Sequence, residues 1–279
     1  MNITMLSAMT LLLAAPTAAE GDLDVAMEAF RAGEYARVVE IAEGLPAGTD
    51  DYRRGLYLCG EAQLLLHRAE AAERSFTGVL ELNPEAAPAL VGLGRSLLAQ
   101  SKLEQAEPHL RAALELDAKS ASARRALGEW LVSARKFEEA ETLLSKLYRE
   151  DPTAPLSARA LAECHLRAGR DGDAMAVAEA FIQADPRHPV GHFLQAVVLE
   201  RMGEEDAAIE SYAMALKRDE RFLDAHKNLA ILAHTLSNTY QIQERNDLAL
   251  AHYARYFELG GHDPALEQTY LSMKKFLEQ

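Results

Sequence analysis

A chain of 279 residues is long enough for one or two ordinary domains, but only 6% of it is aromatic while leucine and alanine abound. That balance argues against a β-sandwich and for closely packed helices. With 43 acidic and 29 basic residues the formal net charge is −14, so the summed field repels phosphate backbones, and nucleic acid is not expected as a partner.

Met1 to Ala19 carries no charged side chain. Its apolar run Leu11 to Ala15, followed by Pro16-Thr17-Ala18-Ala19, resembles a secretory signal peptide cleaved after Ala18 or Ala19. It is too short to be a stable membrane anchor. Residues 1–19 are therefore expected to direct the chain to the periplasm or cell exterior. The alternative is a cytoplasmic chain that keeps this tail.

From Ala19 onward the sequence repeats at an interval of 34 residues, in copies spanning 19–52, 53–86, 87–120, 121–154, 155–188 and 189–222. The eighth place of each copy is small: Ala26, Gly60, Gly94, Gly128, Ala162 and Ala196. The twentieth is alanine from the second copy on, at Ala72, Ala106, Ala140, Ala174 and Ala208, with Val38 in the first. Helices approach most closely where side chains are no larger than a methyl group, so the two series are expected to face each other. Asn83-Pro84, Asp151-Pro152 and Asp185-Pro186 close three copies, and Asp117-Ala118 and Asp219-Glu220 close two others.

A seventh copy, 223–262, keeps Ala230 in the eighth place but matches the second-helix pattern at Ala249, Tyr253 and Tyr256 only if seven residues have been added between Leu236 and Asp247. Seven residues make nearly two helical turns, so a longer first helix or a longer loop would each accommodate them. After Gly260-Gly261, Asp263-Pro264 reads as an N-cap and first-turn proline. Residues 263–279 then place Leu266, Tyr270, Met273 and Leu277 on one face, as a C-terminal capping helix would.

The two cysteines, Cys59 and Cys164, fall three copies apart, beyond the reach of a disulfide. Cys59 holds a place taken by Leu93, Leu127 and Leu161 in later copies, and reads as a small buried hydrophobe.

This period with these residues resembles the tetratricopeptide repeat. The resemblance implies an all-α chain, a right-handed α-solenoid of about seven helix-turn-helix repeats ending in the capping helix. It also implies a groove lined by the first helix of each repeat, in which a protein or peptide ligand binds as an extended segment or a helix. In this register the groove residues are Tyr57, Glu61, Arg95, Arg125, Glu129, Arg159, Glu163, Val190, Phe193, Leu194, Val197, Lys227, Asn228 and Ile231. Leu23 and Met27 hold the same places in the first copy.

The middle of this set is charged, and Arg125 with Glu129, or Arg159 with Glu163, can pair along one helix at i,i+4 spacing. Val190, Phe193, Leu194, Val197 and Ile231 read as an exposed apolar strip fit to anchor a partner. Chaperone-type members of the family clamp a terminal carboxylate with Lys, Arg and Asn side chains. Lys227-Asn228 matches only a fragment of that clamp.

His188, His192 and His226 lack the spacing of a structural zinc site, and neither a phosphate loop nor a nucleophile motif occurs. No metal, cofactor or enzymatic activity is expected. The implied role is a non-enzymatic interaction scaffold in envelope or export assembly, with a cytoplasmic peptide-binding chaperone or regulatory subunit as the alternative.

Overall fold

The computed structural model describes residues 22–240 and 243–277. The proposed signal peptide, residues 1–19, lies outside the described residues. Among those described, the chain forms fifteen helices and no strand. First helices are α1 (Asp22–Arg31), α3 (Asp50–Leu65), α5 (Ala87–Ala99), α7 (Ala121–Ser133), α9 (Pro155–Arg167), α11 (Pro189–Met202) and α13 (Leu223–Tyr240). Second helices are α2 (Tyr35–Glu43), α4 (Ala69–Leu82), α6 (Leu103–Leu116), α8 (Phe137–Glu150), α10 (Asp171–Ala184), α12 (Glu205–Arg218) and α14 (Gln243–Glu258), and α15 (Pro264–Leu277) comes last.

Two local devices recur at the repeat interval and set where the helices stop. At the end of each of five second helices an Asn or Asp side chain accepts a hydrogen bond from the backbone N–H two residues on: Asn83 from Glu85, Asp117 from Lys119, Asp151 from Thr153, Asp185 from Arg187 and Asp219 from Arg221. This turn is one that Asn and Asp side chains make readily, and it offers the backbone an alternative to continuing the helix. Between the helices of a pair, the chain reverses through one residue in the left-handed region: Gly33, His67, Ser101, Arg135, Gly169 and Gly203. Glycine occupies that conformation freely, whereas His67, Ser101 and Arg135 hold it against the steric penalty of a Cβ.

In the seventh pair the corresponding place is Ser237, buried inside α13. The seven added residues lengthen both α13 and α14. α13 ends at Tyr240, four residues beyond the place equivalent to Met202, and α14 starts at Gln243, three before the place equivalent to Glu205 once the insertion is counted.

The described residues divide into two compact units, one ending at Trp130 and the other starting at Leu131, with α7 crossing the division. In the first, α1 to α6 each pack on their neighbours in sequence, and first helices also touch one another, α1 with α3 and α3 with α5. In the second, α8 to α15 pack in the same consecutive manner, and α9 touches α11. Among the described residues, second helices of successive pairs within a unit form no comparable contact, so first helices line one side of each stack.

Gly60 and Gly94 of the eighth-place series sit at tight crossings. A Cβ at Gly60 would lie 2.8 Å from the ring of Phe76, and one at Gly94 would lie 2.6 Å from Cγ of Leu110. Both partners hold the twenty-fourth place of their copy, so the eighth place there meets a large side chain of the second helix. Ala72 and Ala106, in the twentieth place, are fully buried.

At the C-terminal end Ala230, Ala233, Ala249 and Tyr253 form a core covered by Leu266, Tyr270 and Met273 of α15. The helix is started by Asp263, whose Oδ1 accepts from the N–H of Leu266 at 3.3 Å. The side chain of Leu277 lies outside the described residues. Cys59 and Cys164 are both buried free thiols.

Candidate functional site

Each unit carries a cavity at first-helix places. In unit 1 a cavity of about 430 Å³ opens between α1, α3 and the start of α5. Its lining is mostly apolar, from Leu23 and Met27 of α1, Tyr57 and Leu58 of α3, and Pro88 and Ala89 of α5. Arg53 and Arg54 stand at its edge and pair one turn back with Asp50 and Asp51. The Tyr57 ring meets Phe76 edge-on at 5.8 Å between centroids, and burial, with Glu61 adding to it, raises its phenol above the ordinary value.

Beside this cavity the charged groove residues satisfy one another. Arg95 Nη1 donates to both carboxylate oxygens of Glu61, at 3.1 and 3.3 Å, linking the first helices of two successive repeats. Arg125 pairs with Glu129 along α7 at 3.5 Å, the i,i+4 arrangement anticipated.

Unit 2 departs from the sequence reading in three respects. Arg159 does not pair with Glu163. It reaches Asp224 at the start of α13, 2.9 Å away, and lies 5.2 Å over the ring of Phe193, while Glu163 turns to Arg167 at 3.6 Å. The pairing changes because α11, lying between α9 and α13, offers the guanidinium an aromatic face to cross and a carboxylate beyond it.

Secondly, Val190, Phe193 and Leu194 are not an exposed strip. All three are buried, Phe193 beneath the rings of Phe222 and Tyr212 at 5.1 and 5.9 Å. Val197 and Ile231, which hold the ninth place of two successive copies, stay partly open, so the anchoring patch shrinks to these two. Thirdly, the clamp fragment is already engaged. Lys227 Nζ pairs with Asp263 Oδ2 at 3.1 Å, and Asn228 Nδ2 donates to the Tyr212 hydroxyl at 3.2 Å.

Val197, Glu200, Arg201, Asn228 and Ile231 bound the second cavity, of about 390 Å³. At its base the Tyr212 hydroxyl donates to Glu200 Oε2 at 2.8 Å, and burial pushes the Glu200 carboxyl above its usual range. Burial and the adjacent carboxylate likewise hold the Tyr212 phenol in its protonated form. Sequence reasoning missed Glu200 and Tyr212 as site residues. Glu200 does stand on a first helix, three residues beyond the groove residue Val197, whereas nothing in Tyr212's second-helix place marks its hydroxyl as reaching the groove.

The histidines weighed as metal ligands take other partners. His188 Nδ1 accepts from the N–H of Val190 at 3.2 Å and caps α11, with its ring edge-on to Phe181. His226 is buried, and its Nε2 lies 2.9 Å from the Glu220 carbonyl. A carbonyl only accepts, so Nε2 carries the proton and Nδ1 is left as an acceptor. His252 Nδ1, 2.8 Å away, donates to it. Among the described residues no group of three or more His, Cys, Asp or Glu could hold a metal, and no helix is long and apolar enough to cross a membrane.

The imidazole pair makes stability depend on acid. Burial, with His226 adding to it, lowers the His252 value to about 4 from the ordinary 6.5, so between these limits the unfolded chain binds one more proton than the folded chain. This contribution is complete above pH 6.5 and is lost as pH falls toward 4. After screening at a partly exposed ring the expected loss is about 1–2 kcal/mol. Melting curves taken across this range should show a steeper decline for the parent than for His252→Gln. Parallel curves would contradict the assignment.

Comparison with known proteins agrees with this architecture. Two profiles of the tetratricopeptide repeat match the chain, one at residues 57–123 and 91–155 and the other at 131–198, together spanning half of it. Among solved structures, a tetratricopeptide repeat protein from Parabacteroides merdae is 14% identical with a TM-score of 0.65, over 91% of this chain and 98% of that one. The thermophilic repeat protein TTC0263 of Thermus thermophilus is 20% identical with a TM-score of 0.58, over 64% of this chain and 98% of that one. A chain of the APC/C hetero-tetramer Cut9-Hcn1 is 15% identical with a TM-score of 0.58, over 89% of this chain and 48% of that one. Proteins of this kind generally mediate protein–protein interactions. With its helix pairs, its recurrent turns and these matches, the chain belongs to the tetratricopeptide repeat family.

Proposed function

We propose that this protein is a non-enzymatic scaffold that holds a segment of another protein against its first helices, and that it works outside the cytoplasm in envelope or export assembly. The observation that carries the first part is the cavity of about 390–430 Å³ at first-helix places in each unit. In both, the surrounding arginines already have carboxylate partners, so a ligand would be held by shape and by the few uncommitted groups. The similarity to a chain of a hetero-tetramer is consistent with a partner-holding role. The export part rests on the uncharged apolar stretch from Met1 to Ala19.

Photocrosslinking in cells tests the groove. A photoreactive residue at Tyr57 or Ile231 should capture a protein, while one at the exposed second-helix residue Glu210 should not. Capture from Glu210 alone would move the binding face to the second helices. N-terminal sequencing of the mature chain tests export: a start near Ala19 or Glu20 is expected, and a retained Met1 would favour the cytoplasmic reading.

A further inference from the structure

The unit 2 cavity at Val197 and Ile231 contains a carboxylate, Glu200, that forms no ion pair among the described residues. Tyr212 donates to Oε2 of Glu200 at 2.8 Å and accepts from Asn228 at 3.2 Å, so one carboxylate oxygen and the orientation of the group are fixed. Tyr212 is fully buried and cannot follow a ligand outward. No ion pair to Glu200 forms among the described residues. The cation that shares the cavity, Arg201, is taken by Asp171, with Nε 2.7 Å from Oδ1. Val197 and Ile231 supply apolar wall on the way in.

We propose that this cavity is a subsite for a lysine side chain of the bound protein segment, with Val197 and Ile231 along the butyl stem and Glu200 receiving the ammonium. The ammonium is a compact point charge, whereas a guanidinium is matched best by two free carboxylate oxygens. Here Tyr212 already occupies one of them. Long cationic side chains bury their methylenes against apolar surface and keep the charge at a polar end, which is the order of groups this cavity presents. A half-buried carboxylate with only a neutral donor is costly to keep charged, and the arriving ammonium removes that cost. The net charge of −14 also draws a basic segment toward the chain. This assignment rests on the reading that a protein segment docks at the first helices.

The test uses the full chain and a displayed library of random peptides. Retained peptides should share a lysine at one position, and replacing it with arginine, acetyl-lysine or norleucine should weaken binding about tenfold or more. Glu200→Gln keeps an acceptor for Tyr212 but removes the charge, and should erase the difference between lysine and norleucine. Ile231→Lys, which places an ammonium of the protein's own at the cavity wall, should compete with the peptide and weaken it comparably. Peptides that bind without a shared lysine, or whose lysine preference survives Glu200→Gln and Ile231→Lys alike, overturn the subsite and leave the groove reading intact. A library that yields no binder overturns both.

Discussion

Truncation of Phe76 to alanine is expected to cost about 3–5 kcal/mol, at the upper end for a buried ring. Phe76 is completely buried, and its ring fills space that two glycines leave open. A Cβ at Gly60 would meet it at 2.8 Å, and one at Gly92 would overlap it outright. The cost of a cavity depends on how far its walls can collapse, and a glycine has no side chain to swing inward. Only movement of the helices could close the void, so relief should be small. In chemical denaturation the midpoint should shift with little change in slope, as for a loss of stability without a change in compactness.

A double-mutant cycle makes the argument sharper. Gly92→Ala alone should destabilise, since the new methyl group strikes the Phe76 ring. In the Phe76→Ala background the same substitution should stabilise, because the methyl group enters an empty space and alanine is favoured over glycine within a helix by about 1 kcal/mol. Equal effects in the two backgrounds would show that the ring does not press on Gly92.

The parts that could be read from the sequence are those written once per repeat. Asn83, Asp117, Asp151, Asp185 and Asp219 recur because each ends a helix in the same way, by accepting from the N–H two residues ahead. The small residues at Gly60 and Gly94 recur because a helix crosses there. Phe76 and Leu110 as their nearest partners were not foreseen, since spacing along a chain says that two helices touch without saying which rung of the second meets the first. The reversals at His67, Ser101 and Arg135 were hidden for another reason: nothing in those side chains announces a left-handed backbone, which the rest of the pair imposes.

The site was legible as a set of places and not as a set of partners. Arg159 and Glu163 satisfy the one-turn rule for pairing, yet Arg159 finds Asp224 two repeats further on. Phe193 stands at a groove place, yet Tyr212 and Phe222 cover it. Both outcomes depend on helices that stack side by side, a relation no single helix period encodes. Glu200 became notable only once it was seen to take a hydroxyl as partner while the neighbouring Arg201 is paired with Asp171.

Gly94→Leu is the second large effect, expected at about 1–3 kcal/mol from overpacking. A Cβ at Gly94 would already lie 2.6 Å from Cγ of Leu110, and Leu110 is fully buried with no open direction in which to turn. Adding an isobutyl group must therefore part α5 from α6. Helix propensity alone predicts the reverse, since leucine is favoured over glycine in a helix interior. The sign of the change thus decides whether packing or propensity governs this position.

Gly172 supplies the control. It lies in the first turn of α10, is exposed, and has nothing within 4 Å of where its Cβ would be. Gly172→Leu should accordingly be neutral or slightly stabilising. Thermal melts in which Gly94→Leu is as stable as the parent, or in which both variants fall equally, would show that α5 and α6 do not cross at Gly94.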